Sequence, residues 1–127
     1  MTTTQPTAVT FARNLARLME DRALSQNELA RRSGVGQRTL STILNLDQPM
    51  EINPRSSTVQ QLAEFFAIPA WQLFVPDMPL DLMSSQRLGR LIANYQSAPE
   101  DGRRVVEQVA EAQAHYHTAP PKPTKAR

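Results

Sequence analysis

The sequence of 127 residues contains no cysteine. This absence excludes a disulfide scaffold, a thiolate metal site and a cysteine nucleophile, and it suits a reducing cytoplasm. No apolar run approaches the ~20 residues that a transmembrane helix needs. The N-terminal stretch MTTTQPTAV has neither the basic nor the apolar part of a secretory signal. We therefore expect a cytoplasmic protein without a membrane partner.

Catalytic and metal-binding signatures are also lacking. The chain has no H-E-x-x-H, G-x-S-x-G or Walker motif. Its carboxylates have ready roles as helix caps or surface charges. We expect no enzymatic activity, no cofactor and no metal site.

Net charge favours no particular partner. Fourteen Lys and Arg side chains oppose twelve Asp and Glu, and the formal net charge is +2. Residues 1–70 and 71–127 each hold seven basic and six acidic side chains. Binding to a nucleic acid must therefore be argued from the arrangement of residues.

What the chain does have is helical periodicity, with hydrophobic residues at 40% of the composition. Phe11, Leu15, Leu18 and Met19 form one apolar stripe and predict a helix over 8–22. No strand pattern competes anywhere, so we predict an all-α chain. Further helices are predicted from Gln26 to Arg32, over 37–45, from Ser56 or Ser57 to before Pro69, over 83–96 and over 99–117, with one more turn at 70–74.

The most informative stretch is 24–45, LSQNELARRSGVGQRTLSTILN. Ser25 and Glu28 form a capping box at the start of a short helix. Gly34 stands where a left-handed residue ends that helix, and a second short helix follows almost at once. Two short helices joined by a tight glycine turn are typical of the helix-turn-helix motif, whose second helix fits the major groove of DNA.

The stretch 11–74 resembles the lambda-repressor-like family of Cro and phage repressors. The family pattern is matched by Leu24-Ser25-Gln26, by Glu28-Leu29-Ala30, by Gly34-Val35 and by Thr39-Leu40-Ser41-Thr42-Ile43. The resemblance implies a five-helix lambda-repressor-like helix-turn-helix domain over about half of the chain. It also implies binding to double-stranded DNA.

The outer face of the predicted helix 37–45 provides the candidate base contacts. They are Gln37, Arg38, Ser41 and Thr42. Arg38 can make a bidentate contact to guanine and Gln37 one to adenine, while the two hydroxyl residues can touch base edges or a thymine methyl group. A phosphate contact or plain exposure remains an alternative for Arg38.

Other residues are candidates for contacts to the DNA backbone. Gln26 resembles the family glutamine that contacts phosphate and supports the recognition helix, and the N–H groups beside it form an anion site. The remaining candidates, placed by the resemblance or by topology, are Asn27, Asn45, Arg13, Arg17 and Arg55. Arg31 and Arg32 are interpreted as solvated surface.

Two features depart from the family. Ala23 stands where the family commonly has glycine, and an alanine in the left-handed conformation costs on the order of 1 kcal/mol. The loop over 46–55 is longer than usual and carries Asp47 and Glu51. Since carboxylates repel phosphates, we expect this loop to turn away from DNA or to meet a partner.

The remaining domain limits follow from composition. We predict a flexible tail over 1–7, the DNA-binding domain over 8–75, a proline-marked linker over 76–82, a two-helix C-terminal hairpin over 83–118 and a disordered Pro-rich tail over 119–127. The hairpin has an apolar face on each helix, which must pack on something. The DNA-binding domain, a second subunit and both together remain open.

Two functions are compatible with these patterns. The first is a sequence-specific transcriptional regulator, a repressor of phage or prophage type that binds a palindromic operator as a homodimer. The alternative is an antitoxin or adaptor that binds a protein partner through the hairpin 83–118. The stretch 24–45 could then be an ordinary helical corner used for protein contact.

Overall fold

The computed structural model describes residues 7–45 and 54–118. Every regular element in those two ranges is helical, which confirms the predicted all-α class. The α-helices are α1 (Thr7–Asp21), α2 (Gln26–Ser33), α3 (Gln37–Leu44), α4 (Ser56–Phe66), α5 (Leu80–Met83), α6 (Arg87–Ser97) and α7 (Glu100–Thr118), and a 3-10 helix spans Ala70–Phe74. The chain divides into two compact units, 1–89 and 90–127.

The first unit has one hydrophobic core, to which every helix from α1 to α5 contributes. The predicted stripe of α1 is buried, and α2, α3 and α4 each bury apolar side chains against it. The fully buried side chains from these elements include Phe11, Leu15, Leu18, Leu29, Leu40, Leu62, Phe66, Leu73 and Met83. Because each helix contributes its apolar face, the polar faces are left for solvent or for a ligand.

Asn14 connects α1 to the end of the 3-10 helix and to the residue that follows it. Its Nδ2 donates to the Leu73 carbonyl at 2.8 Å and to the Val75 carbonyl at 3.0 Å. The side chain is buried, and its Oδ1 accepts a hydrogen bond from Arg17 Nη1 at 3.4 Å. One buried amide therefore satisfies two carbonyl groups 59 and 61 residues further along the chain.

Local capping signals place α2 where the sequence predicts it. Ser25 is its N-cap, and the Ser25 Oγ accepts a hydrogen bond from the Glu28 N–H at 3.1 Å. Before it, Ala23 has φ of 52°, which is the left-handed conformation in which an alanine is strained. Left-handed backbone also occurs at Ala67 and Asp77, which the sequence did not reveal.

Part of the stretch 76–82, which the sequence predicts to be a linker, is helical. Leu80–Met83 forms α5, which begins when the Leu82 and Met83 N–H groups donate to the Pro79 carbonyl at 3.0 and 2.9 Å. Met78 and Met83 are buried in the core, so the packed part of the first unit continues beyond residue 75. The predicted helix 83–96 consequently begins later, at Arg87.

The second unit contains most of α6 together with α7. Tyr95 Oη donates to Glu107 Oε2 at 3.0 Å, and this bond to a carboxylate raises the pKa of the Tyr95 phenol. Arg103 Nε donates to the Tyr95 carbonyl at 3.0 Å, and its Nη2 donates to the Gln96 carbonyl at 2.7 Å. Polar contacts from α7 thus hold the end of α6.

Three predictions fall wholly or mostly outside the described residues. These are the flexible tail, the acidic loop with Asp47 and Glu51, and the disordered C-terminal tail.

The two hydrogen bonds of Asn14 predict a stability effect. Asn14→Leu keeps a side chain of similar size but leaves two carbonyl groups without their donor, so the free energy of unfolding should fall by about 1–3 kcal/mol. Chemical denaturation measures this change. Gln60→Leu, which removes an exposed amide from α4, is the matched control and should change stability by ~0.5 kcal/mol at most. Equal stabilities of the two variants would contradict the role of Asn14.

The left-handed backbone at Ala23 predicts a substitution that leaves the free energy of unfolding unchanged or raises it. Ala23→Gly relieves strain in the native turn, while glycine also gains freedom in the unfolded chain, so the variant should be neutral or more stable by up to ~1 kcal/mol. Ala16→Gly is the control inside α1 and should destabilise the fold by about 1 kcal/mol. A clear fall in the melting temperature of Ala23→Gly refutes the prediction.

Candidate nucleic-acid interface

A three-residue turn sets α3 against α2. Gly34 has φ of 85°, and its N–H donates to the Ala30 carbonyl at 3.1 Å. The Val35 N–H donates to Ser33 Oγ at 3.2 Å, while the Val35 side chain is buried. Gly36 then begins α3 in extended backbone. A residue with a Cβ would be strained at this left-handed φ, which explains why position 34 is a glycine.

The rotation of α3 is fixed by what it buries. Leu40 and Ile43 point into the core, at 0% and 4% exposure. The four predicted base-contact residues are all exposed on the remaining surface of the helix, namely Gln37, Arg38, Ser41 and Thr42. At 100° per residue these four side chains span an arc of about 140°. The structure therefore brings them together on one face of α3.

Thr42 has one further constraint. Its Oγ1 donates to the Arg38 carbonyl at 3.0 Å within α3. Because the hydroxyl hydrogen is used there, the side chain can offer a ligand its methyl group and an acceptor lone pair. Of the two chemical uses predicted for Thr42, this bond favours apolar contact, as with a thymine methyl group.

The first turn of α2 holds the next candidate residues. Gln26 and Asn27 are its first two residues, and both are exposed. Their backbone N–H groups belong to the first turn of the helix, where no intrahelical acceptor exists. Ser25 already caps Glu28, so a phosphate oxygen is a chemically suitable partner for the N–H groups that precede it.

Arg13 and Arg17 lie in a different place. They line a cleft between α1 and the 76–77 segment, together with Thr10, Asn14, Pro76 and Asp77. No residue of α2 or α3 lines that cleft. Arg13 is exposed and Arg17 is half-buried. The structure thus groups these two arginines with each other and with a carboxylate.

The last two backbone candidates are at helix ends. Asn45 ends α3, where its N–H donates to the Thr42 carbonyl at 3.4 Å. Arg55 is the N-cap residue of α4. Both side chains are exposed.

Other arginines of the first unit have contacts within the protein. The Arg22 guanidinium lies 5.0 Å from the centre of the Phe66 ring and donates to the Phe66 carbonyl at 3.3 Å. The Arg32 guanidinium lies 5.0 Å from the Phe65 ring centre. These aromatic contacts were not visible in the sequence, because they join side chains more than 30 residues apart.

Local charge at the motif differs from the balanced total. Residues 29–45 carry three arginines and no acidic residue. After Glu28, the two helices of the motif therefore carry positive charge and no carboxylate. An anionic ligand is the electrostatic complement of that surface.

Two further classes of feature are absent from residues 7–45 and 54–118. The helices there lack the length and apolar character that a membrane crossing needs. No group of three or more His, Asp or Glu residues in 7–45 and 54–118 is arranged to bind a metal ion.

Comparison with known proteins identifies a similar family for part of the chain. A family model described as helix-turn-helix matches residues 15–70, which contain α2, the glycine turn, α3 and α4. No curated protein and no solved structure matches the chain. The matched range includes every residue of the motif that carries the resemblance, and the fold places its second helix with a polar face outward. Residues 15–70 are therefore similar to the lambda-repressor-like helix-turn-helix family, and this match supports a DNA-binding transcription regulator.

Proposed function

We propose that the protein is a transcriptional repressor of phage type, which binds a palindromic operator as a homodimer. In each subunit α3 enters the major groove, and α2 lies across the DNA backbone. Repression follows from occupation of a promoter, which requires no catalytic step and no effector pocket.

One observation carries this proposal. The two apolar residues Leu40 and Ile43 are buried, and the opposite arc of α3 presents only polar side chains to the outside. A helix needs this arrangement to read base edges, since the major groove of about 12 Å admits a helix whose outer side chains can form hydrogen bonds. An eight-residue helix is about 12 Å long, so it meets only a few base pairs.

The small size of this reading surface favours a dimer. Two copies related by a two-fold axis read two half-sites, whose centres are ~34–36 Å apart when they are one turn of DNA apart. The two-fold symmetry of the protein then corresponds to a palindromic operator.

Within each half-site the residues have separate roles. Arg38 reads guanine and Gln37 reads adenine by paired hydrogen bonds, Ser41 contacts a neighbouring base edge and Thr42 contacts a thymine methyl group. Gln26 and Asn27 contact phosphate at the start of α2. Asn45, Arg13, Arg17 and Arg55 add further phosphate contacts and affect affinity rather than sequence preference.

The assignment predicts a specific loss on mutation. Gln37→Ala combined with Arg38→Ala should weaken operator binding by about 1–3 kcal/mol for each lost pair of hydrogen bonds, or about 5- to 150-fold. The operator is first obtained by selection from random duplex DNA at about 0.15 M salt, so that non-specific phosphate attraction does not dominate. Fluorescence anisotropy then gives the affinities.

A control variant distinguishes the loss of base contacts from the loss of one positive charge. Arg104→Ala removes the same single positive charge from an exposed site on α7, and it should leave operator affinity within about twofold. If the double variant binds the operator as tightly as the wild-type protein, α3 is not the recognition helix. If no sequence is enriched from the random pool by the folded protein, the proposal as a whole fails.

A further inference from the structure

An exposed apolar stripe runs along α7. The stripe contains five residues with alternating spacings of three and four, namely Gly102, Val105, Val109, Ala112 and Tyr116. Val105, Val109 and Tyr116 are 56%, 55% and 71% exposed. Spacings that alternate between three and four are the seam pattern of a coiled coil, in which each seam residue packs against a neighbouring helix.

This stripe is distinct from the face that α7 uses within its own unit. Arg103 and Glu107 make the contacts to Tyr95 and Gln96. At 100° per residue, their mean direction is about 160° from that of Val105 and Val109. The partner of the stripe must therefore come from outside the contacts that hold α6 to α7.

A second copy of α7 matches the stripe when the two helices run antiparallel. Centred at the level of Glu107, the pairing places Val105 opposite the partner's Val109, and Gly102 opposite the partner's Ala112. Each layer occurs twice because the arrangement has two-fold symmetry. The valines fill the centre, while the small residues on both sides allow the helices to approach closely.

Charge and dipoles favour the same direction. The antiparallel register brings the Asp101 carboxylate beside the partner's His115, so an acidic side chain lies next to an imidazole that can donate a hydrogen bond. Glu107 lies on the face turned away from the seam, so the two Glu107 carboxylates at the centre do not meet. The macrodipoles of antiparallel helices oppose each other favourably, whereas a parallel pair aligns them. A parallel register would also pair Gly102 and Ala112 each with itself.

We propose that α7 pairs antiparallel with α7 of a second copy of this chain through the stripe residues Gly102, Val105, Val109 and Ala112. This pairing supplies the two-fold dimer that the proposed function needs, and its use in operator binding rests on that function. Because α7 is only 19 residues long, about 28 Å at 1.5 Å per residue, the seam is short. The dimer should dissociate on dilution.

Sedimentation equilibrium of the full chain tests the pairing. The wild-type protein should show a monomer–dimer equilibrium in the micromolar range. Val105→Glu combined with Val109→Glu puts four carboxylates into the dimer seam and should raise the dissociation constant by about tenfold or more. Since both side chains are exposed in the monomer, circular dichroism should show unchanged helix content.

A conservative variant is the matched control. Val105→Ile combined with Val109→Leu keeps the seam apolar and should retain the dimer. A wild-type protein that stays monomeric at high micromolar concentration overturns the proposal. So does a glutamate variant that dimerises as strongly as the wild type.

Engineered cysteines test the direction of the helices, because the natural chain has none. Gly102→Cys and Ala112→Cys are prepared as separate proteins and oxidised alone or mixed. In the antiparallel pair each position is about 15 Å along the axis from its own copy, which exceeds the Cα separation of ~4.4–6.8 Å that a disulfide spans. A disulfide should form only in the mixture. Disulfides in each protein alone would show a parallel pair and overturn the proposal.

DNA binding separates this proposal from the proposed function. The glutamate variant should bind a single half-site as the wild type does, and should lose affinity only for the full palindrome. A protein that dimerises through α7 but selects no DNA sequence supports the pairing and removes the repressor function. If the protein selects a DNA sequence but stays monomeric, the pairing is contradicted and recognition by α3 is not.

Discussion

The burial of Leu40 and Ile43 is the constraint on which the functional surface depends. Since these two side chains must point into the core of the first unit, α3 cannot rotate about its axis. Its polar residues are thereby held outward without any further device. The glycine turn before α3 serves the same end, because Gly34 adopts a left-handed φ that lets the chain reverse within three residues. The packing that buries Leu40 and Ile43 therefore also turns the polar face of α3 outward.

The core in turn depends on contacts between distant parts of the chain. Asn14 in α1 satisfies carbonyl groups at both ends of the segment from Leu73 to Val75. Phe11 stacks on Phe74 with 5.2 Å between ring centres, next to that hydrogen-bonded junction. α5 then closes the core with Met83. The helix-turn-helix motif thus rests on a framework whose last element comes about 40 residues after α3.

Local signals in the sequence were enough to predict most of this framework. Ser25, Gly34 and the apolar stripe of α1 act within one or two turns of chain, and each has the predicted conformation or burial. The exposed face of α3 followed from the same periodicity. The role of Asn14 could not be predicted, since a polar residue inside a helix gives no sign of carbonyl partners 60 residues away. α5 was missed because a four-residue helix between a proline and two serines is too short for a periodic pattern.

Recognition of DNA through the major groove is the central claim, and methylation interference tests it most directly. Methyl groups on guanine N7 lie in the major groove, and methyl groups on adenine N3 lie in the minor groove. Operator DNA carrying either modification is bound by the protein, and the modifications that prevent binding are mapped. Recognition by α3 of each subunit predicts interference from guanine N7 in two half-sites about one turn of DNA apart. Interference from adenine N3 alone would place the protein in the minor groove and contradict recognition by α3.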